Sequence, residues 1–350
     1  MSLNKRYLDI KEKELFFNFF TDKNKIAIIS HEDPDGDAIA SLSSIYFFCK
    51  INSINSEIFL YNLPPFIDYN KWNLNINPIS NLKQENFDGI IFVDTPSISR
   101  SGLSIDTDIK IPSLNIDHHI DNRFFCEFNI VAPGFCSSSE IIYDLINDSD
   151  FYNINIINKE NFNPLFLNLL ESILMGILFD TYYFNTENVD HILLQRASEL
   201  HKLTGSMHKL KNILFKNQSP MIYKFWGYIL TNISLYYNNQ LVIAKVDRKI
   251  FEKFENEYPD FSRSVATEGF INHLMSLRNV SLSIFIREMQ NEIKVSIRSS
   301  IKVASILANK FGGGGHENAS AFKIKRDKNF DIYELEKKIL DIIDQEGFFN

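Results

Sequence analysis

The chain has 350 residues, 45% of them hydrophobic and 23% charged, with a formal net charge of -8; one core rarely serves more than roughly 250 to 300 residues, so two domains are expected. The acidic balance excludes a broad grip on long duplex nucleic acid, which needs many Lys and Arg contacts to phosphates. Three cysteines, Cys49, Cys126 and Cys136, form neither an even set nor a CxxC pair, which excludes a disulfide framework and a zinc knuckle.

Met1 to Phe20 alternates charged and apolar residues at helical spacing and has no uninterrupted apolar core of the signal-peptide kind. No later stretch approaches the roughly 20 apolar residues of a spanning helix, so the expected setting is cytoplasmic, without a membrane partner. Lys25 to Ser30 reads as a buried strand. Ala38 to Ile51 reads as a helix with Ile39, Leu42, Ile45, Tyr46 and Cys49 on its apolar side. Between them lies His31-Glu32-Asp33-Pro34-Asp35-Gly36-Asp37, where Pro34 and Gly36 break regular structure and let His31, Asp35 and Asp37 converge. Convergent carboxylates repel one another unless a cation sits among them, which favours a metal site. A turn with Asp37 as helix N-cap accounts for only one of the three residues.

Asp88 to Val93 is a second buried strand and ends at Asp94-Thr95-Pro96; Leu114 to Ile116 is a third and ends at Asp117-His118-His119. Taken alone, that last triplet is equally well a capped turn. Three strands that each deliver acid or imidazole to one edge point instead to a ligand site, because α/β sheets bind ligands where their strands end. Ser137-Ser138-Ser139-Glu140 has capping-box spacing ahead of a helix from Ile141 to Ile146, and Ser138 and Ser139 could also line the crevice. The apolar helix Pro164 to Phe179 closes on Asp180-Thr181. The helix dipole disfavours a carboxylate there, so Asp180 needs a partner such as a cation unless it is exposed in the following loop.

His191 to Asn212 reads as an amphipathic connector, punctuated by Asn217-Gln218-Ser219-Pro220. Ile229 to Tyr237 and Leu241 to Val246 form an expected strand pair around Asn238-Asn239, and Val280 to Arg287 pairs with Glu292 to Arg298. These belong to a second, antiparallel-rich domain. Val303 to Lys310 is a short helix, followed by Phe311 and the run Gly312-Gly313-Gly314-Gly315-His316. Four glycines exceed what a helix C-cap requires. Either their amides approach an anion, with His316 and Arg298 as further donors, or the run is a flexible loop.

In this order the segments resemble the DHH/DHHA1 phosphoesterases, in their nanoRNase and cyclic-dinucleotide phosphodiesterase branch rather than among the larger RecJ-like exonucleases. The signature His-x-x-x-Asp-x-Asp is matched by His31, Asp35 and Asp37, and the strand-terminal acid by Asp94. The name-giving triplet is Asp117-His118-His119, the fourth acid is Asp180, and the Gly-rich motif is Gly312 to His316, with Arg298-Ser299 upstream. After His316 the chain runs on as Glu317-Asn318-Ala319-Ser320-Ala321, where relatives often carry a basic residue and then a Gly. The resemblance implies an α/β fold: a DHH catalytic domain at 1–190 with a mainly parallel sheet flanked by helices, a helical connector at 191–220, and a smaller α/β DHHA1 substrate-binding domain at 221–350 with a mixed or antiparallel sheet.

It also implies two Mn²⁺ ions, with Mg²⁺ or Co²⁺ as substitutes: His31, Asp35 and Asp94 on the first, Asp37, Asp94, His118 and Asp180 on the second, Asp94 bridging. His119 would face the scissile phosphate and Asp117 would orient its neighbours. Arg298, Ser299, His316 and the amides of Gly312, Gly313, Gly314 and Gly315 would clamp a terminal phosphate or second nucleotide across an interdomain cleft, with Arg287 and Asn272 as further candidates. The implied activity is a manganese-dependent phosphodiesterase for short nucleotides: cyclic di-AMP, pApA or nanoRNA of a few residues, with removal of the 3′-phosphate of pAp. The resemblance is compatible with a homodimer. Two readings compete with it, a nucleotide-binding regulatory module without catalysis and an inorganic pyrophosphatase, whose branch resembles this chain only in the first domain.

Overall fold

A computed structural model describes residues 6–63, 72, 74–147, 163–210, 219–259, 261–267, 269–326 and 331–349. The chain divides into two compact units, Met1–Asn217 and Gln218–Asn350. Among the described residues no helix is long and apolar enough to cross a membrane.

In the first unit the three apolar runs become β1 (Lys25–Ile29), β4 (Gly89–Val93) and β5 (Ser113–Asp117), and every residue of β4 and β5 is buried. With β2 (Asn55–Leu60), β3 (Ile76–Pro78) and β6 (Phe128–Val131) they form a sheet in the order β3-β2-β1-β4-β5-β6, parallel throughout. The order reverses between β1 and β4. Open parallel sheets present a crevice at the C-terminal strand ends of such a reversal, because the following helices leave on opposite faces.

Helices α1 (Ile10–Phe20), α2 (Gly36–Ile51), α3 (Ser138–Ile146), α4 (Pro164–Asp180) and α5 (His191–Thr204) contribute to the main core, which includes Phe16, Ile39, Ile141, Leu170 and Leu193. A smaller core on Ala27, Ile29, Phe59, Phe87 and Phe92 is separate from it. Helix α2 is buried from Gly36 to Cys49, so it lacks a solvent-facing side over most of its length. Its close approach to α4 depends on glycine. A Cβ at Gly36 would stand 2.2 Å from the Phe179 ring, and one at Gly176 would stand 2.4 Å from Asp37 Oδ1 and 2.0 Å from Ser139 Oγ.

The segment anticipated as a connector is different in the structure: α5 buries Leu193, Ala197 and Leu200 in the first unit's core. Asn217-Gln218 lies outside the described residues. At α3 the expected cap is half present. Ser137 Oγ accepts from the Glu140 amide at 3.0 Å, but the Glu140 carboxylate reaches past the cap to the Cys136 amide, 2.7 Å away.

The second unit holds a mixed sheet, ordered β11-β12-β10-β9-β8-β7: β7 (Ser234–Tyr236), β8 (Leu241–Val246), β9 (Leu282–Glu288), β10 (Glu292–Ser299), β11 (Gly314–Gly315) and β12 (Ala319–Lys325). Only the β8–β9 pair is parallel. Helix α6 (Pro220–Leu230) corrects the expected strand from Ile229 to Tyr237. Ser219 caps it, Pro220 occupies its first turn, and Met221, Ile222, Phe225 and Ile229 are buried at helical spacing. The β-branched residues after it therefore start a strand only at Ser234. Helices α7 (Arg248–Glu257), α8 (Arg263–Thr267), α9 (Phe270–Leu274), α10 (Ala304–Asn309) and α11 (Ile332–Glu346) complete the unit, whose buried apolar side chains form two clusters.

Candidate metal centre

At the reversal of the first sheet, Asp94 follows β4 with φ of +52°, a left-handed conformation that Asp tolerates better than most residues but that still costs about 1 kcal/mol. The turn is fixed by the Asp94 amide, which donates to the Ile116 carbonyl at 2.9 Å, and by Ser138 Oγ, which donates to Asp94 Oδ1 at 3.1 Å. Asp94 is 2% exposed. Around it stand His31 Nε2 at 3.6 Å from Oδ2, His118 Nε2 at 3.5 Å from Oδ1 and His119 Nδ1 at 3.6 Å from Oδ1.

The loop after β1 supplies the next three residues. His31 is buried, and its Nδ1 has no hydrogen-bond partner among the described residues. The N-cap of α2 is Asp35 rather than Asp37: Asp35 Oδ1 accepts from the amides of Asp37 and Ala38 at 2.9 and 3.1 Å. Asp37 is fully buried inside the first turn of α2, and its carboxylate sits on the N-terminus of α3, where Ser138 N donates to Oδ2 at 2.7 Å and Ser139 N to Oδ1 at 3.1 Å. A helix N-terminus stabilises an anion through its free amides and its dipole.

Asp180, the last residue of α4, faces this cluster, with Oδ2 3.4 Å from His118 Nε2. The chain then turns away through three left-handed residues, Tyr182, Tyr183 and Phe184. Ligand atoms within 4.8 Å of one another occur in three groups: His31 with Asp35 and Asp94, Asp37 with His118 and Asp180, and Asp94 with His118 and His119. All six residues anticipated as metal ligands are thus brought together.

The electrostatics are those of a site built around positive charge. Burial, and then the nearby Asp94, hold the Asp37 carboxyl well above the usual range; burial, and then Asp37, Asp35 and Asp94, do the same to Asp180. Asp35 is raised by burial and Asp94. Asp94 goes the other way: burial opposes ionisation, but His31, His118 and His119 together hold it below the usual range. Hard carboxylate oxygens and imidazoles crowded to the point of mutual repulsion fit a divalent cation of the Mn²⁺ or Mg²⁺ type. No thiolate competes, since burial pushes the Cys136 thiol up to about 11.

His119 is set apart by its partner. Asp117 Oδ1 accepts from His119 Nδ1 at 2.7 Å, and Asp117 Oδ2 accepts from Asn122 Nδ2 at 2.6 Å. Asn122 Nδ2 also donates to Asn115 Oδ1 at 2.7 Å, while Asn115 Nδ2 donates to the carbonyls of Phe92 and Thr95. The chain of amides locks Asp117, and Asp117 fixes the orientation of the His119 ring, with Nδ1–H on the carboxylate and Nε2, protonated in the imidazolium, turned away from it. Burial opposes protonation of His119, but the Asp117 bond and the Asp94 charge raise it to about 9. Sequence reasoning missed both amides. Asn115 left a signal, a polar residue inside an apolar strand; Asn122 lies in a loop and left none.

Residues 25–177 match the DHH family N-terminal domain and residues 243–346 match the DHHA1 domain, together more than half of the chain. This chain belongs to the DHH/DHHA1 family. It is 25% identical to the bifunctional oligoribonuclease and PAP phosphatase NrnA of Thermus thermophilus over 92% of this chain and 90% of that one. With the protein of the same name from Bacillus subtilis it shares 28% identity over 85% and 89%. An exopolyphosphatase-related protein from Bacteroides fragilis has the same fold, with a TM-score of 0.80, 24% identity and coverage of 96% of this chain and 97% of that one.

The DHHA1 domain carries the anticipated substrate residues, and the structure unites only some of them. Arg298 Nε donates to Asn272 Oδ1 at 3.2 Å, so those two form a pair. His316 is exposed in the turn between β11 and β12, near the Arg298–Ala319 register. Arg287 is removed from this group: it pairs in register with Lys294 whereas Arg298 pairs with Ser283, an offset of roughly 13 Å along the strands. Its guanidinium donates to Ser296 and Thr267. Ser299 is buried, and its Oγ accepts from the amides of Ile301 and Val303, which makes it a turn cap.

The glycine run also differs from an anion cradle. The amides of Gly312, Gly313 and His316 donate to the carbonyls of Asn309, Ala308 and Ala319. Gly312 and Gly315 have φ of +73° and +134°, and a Cβ on Gly313 would stand 2.3 Å from Ala321 O. Backbone conformation and close packing therefore require three of the four glycines. Gly314 and Gly315 are exposed and stay candidates for contact with a ligand.

Proposed function

We propose that this protein is a Mn²⁺-dependent phosphoesterase that cleaves short adenine-type nucleotides, namely pApA, oligoribonucleotides of a few residues, the 3′-phosphate of pAp, and cyclic di-AMP. The observation that carries the reading is the convergence of His31, Asp35, Asp37, Asp94, His118 and Asp180 at the sheet reversal. The names of the curated relatives support the same substrate class.

In this reading His31, Asp35 and Asp94 hold one cation and Asp37, Asp94, His118 and Asp180 the other. Divalent cations, when bound, supply Lewis acidity, lowering the pKa of water and offsetting charge on phosphate oxygens. Asp117, locked by Asn122, holds His119 so that Nε2 donates a hydrogen bond to a phosphate oxygen and stabilises the charge that develops there. Ser138 and the α3 amides keep Asp94 and Asp37 in place. Arg298, with Asn272 and His316, binds the phosphate or base at the other end of the nucleotide.

The test is a product profile. Purified protein with Mn²⁺ should convert pApA to AMP and release phosphate from pAp; hydrolysis of pyrophosphate with neither nucleotide touched would sink the reading. Arg298→Ala should raise KM for pApA about tenfold or more, the range expected for a lost charge-assisted hydrogen bond, and leave bis(p-nitrophenyl) phosphate turnover within about twofold. Equal losses on both substrates would remove Arg298 from substrate binding.

A further inference from the structure

Behind the metal centre lies a buried cluster of charge that the reaction does not use. Glu140, on the first turn of α3, is fully buried and receives two guanidinium groups: Arg196 Nη1 donates to Oε1 at 2.6 Å and Arg6 Nη1 to Oε2 at 3.1 Å. The same Oε2 accepts from the Cys136 amide at 2.7 Å. Arg196 also donates to Asp144 one turn further along α3 and, at 2.6 Å, to the Arg6 carbonyl. Arg6 completes the set by donating through Nε to Asp190, the N-cap of α5, at 2.9 Å, with Cys136 Sγ 3.4 Å from its Nη1.

Ion pairs this deep are a poor route to stability, because desolvation of each charge offsets much of the attraction, and apolar side chains of similar volume often serve as well. What they do supply is a fixed geometry. The segment they fix is Cys136 to Glu140, whose opposite side is Ser138 and Ser139, the residues that hold Asp37 by two amides and Asp94 by a hydroxyl. A segment clamped from behind by two guanidiniums and in front by two carboxylates has little freedom to shift. Among the described residues no other amide donates to Asp37, and the absence of a side chain at Gly176 leaves Ser139 and Asp37 packed directly against α4.

We propose that Arg6, Glu140 and Arg196 are positioning residues for the metal centre: they hold the first turn of α3 so that its amides and the Ser138 hydroxyl present Asp37 and Asp94 to the cations. The inference rests on the assignment of Asp37 and Asp94 as cation ligands. Partners one step behind a ligand, here the Ser138 and Ser139 amides and the Ser138 hydroxyl, set its orientation, and their loss typically weakens metal affinity or activity by roughly 10- to 100-fold; Arg6, Glu140 and Arg196 act through them, which places the expected effect at the lower end of that range.

The experiment is a Mn²⁺ titration of folded, metal-free protein, followed calorimetrically, for wild type, Glu140→Gln and Lys245→Met. Glu140→Gln keeps the size and an acceptor for the Cys136 amide but removes the charge that the two guanidiniums share. Lys245→Met breaks a comparably buried pair with Glu336 in the second unit. The expected result is a Mn²⁺ Kd about tenfold or more weaker in Glu140→Gln, with kcat at subsaturating metal reduced and KM for pApA held, and an unchanged Mn²⁺ Kd in Lys245→Met.

Where Glu140→Gln does not fold, Arg6→Met, which leaves the Glu140–Arg196 pair in place, is measured instead. It should weaken Mn²⁺ binding, and Arg6→Lys should recover part of the loss. Wild-type protein that binds no Mn²⁺ overturns the metal reading itself. Wild-type binding matched by equal binding in Glu140→Gln, or in Arg6→Met, overturns the positioning role alone.

Discussion

Asp94→Asn is expected to lower the rate of pApA hydrolysis by about 10³-fold or more at saturating Mn²⁺, beyond the 10²- to 10³-fold typical for loss of one electrostatic donor. The reason is that Asp94 stands in two of the three ligand groups and within 3.6 Å of three imidazoles. Asn keeps the shape and also tolerates the left-handed backbone of this position, so the φ of +52° is retained without new strain. What is lost is the negative charge that holds His31 and His119 raised. An amide nitrogen would also turn a donor toward one cation. Initial rates with pApA and a Mn²⁺ titration read the two losses, and a rate within tenfold of wild type would take Asp94 out of the centre.

The strands and their polar ends are legible in the sequence because each is a local pattern, an apolar run stopped by Asp or His. Which strands are neighbours is not local. β2 and β3 lie between β1 and β4 in the chain yet pair on the far side of β1, and that exclusion brings the His31 loop beside Asp94. Residue type alone does not separate the roles within the glycine run. Positive φ at Gly312 and Gly315 and the closeness of Gly313 to Ala321 are conformational facts, and they account for three of the four glycines without a ligand. At Ile229 the competing signal was helical: the apolar spacing that starts at Met221 carries the helix to Leu230, past residues that favour strand by type. Arg287 and Arg298 look equivalent on paired strands, and only the register separates them. Glu140 fits a capping box by spacing, while the arginines that engage it come from 134 and 56 residues away.

Metal-free protein should lose stability as pH rises from 6.5 to 8, and Mn²⁺ should restore more at the higher pH. A carboxyl whose folded pKa is raised binds protons in the folded state that the unfolded chain has released. Its charge therefore costs stability from the unfolded value of about 4 upward, and the cost grows until pH passes the folded pKa. Asp37, Asp180 and Asp35 all have this sign. His119, raised to about 9, contributes stability that is fully present below its unfolded value near 6.5 and is lost as pH climbs through 9, so its slope has the same direction. His118, lowered chiefly by burial, acts oppositely but only below about 6.5, outside the window. Cation binding takes the deprotonated carboxylates, so its gain grows with pH. At 100 times Kd it is worth about 2.7 kcal/mol, or roughly 5 to 10 °C for a unit of this size. Because every proposed ligand lies in Met1–Asn217, calorimetry should show the shift in that unit's transition alone. An equal shift at both pH values would show that protons and the cation do not compete at this site, and a shift confined to the second unit's transition would place the cations elsewhere.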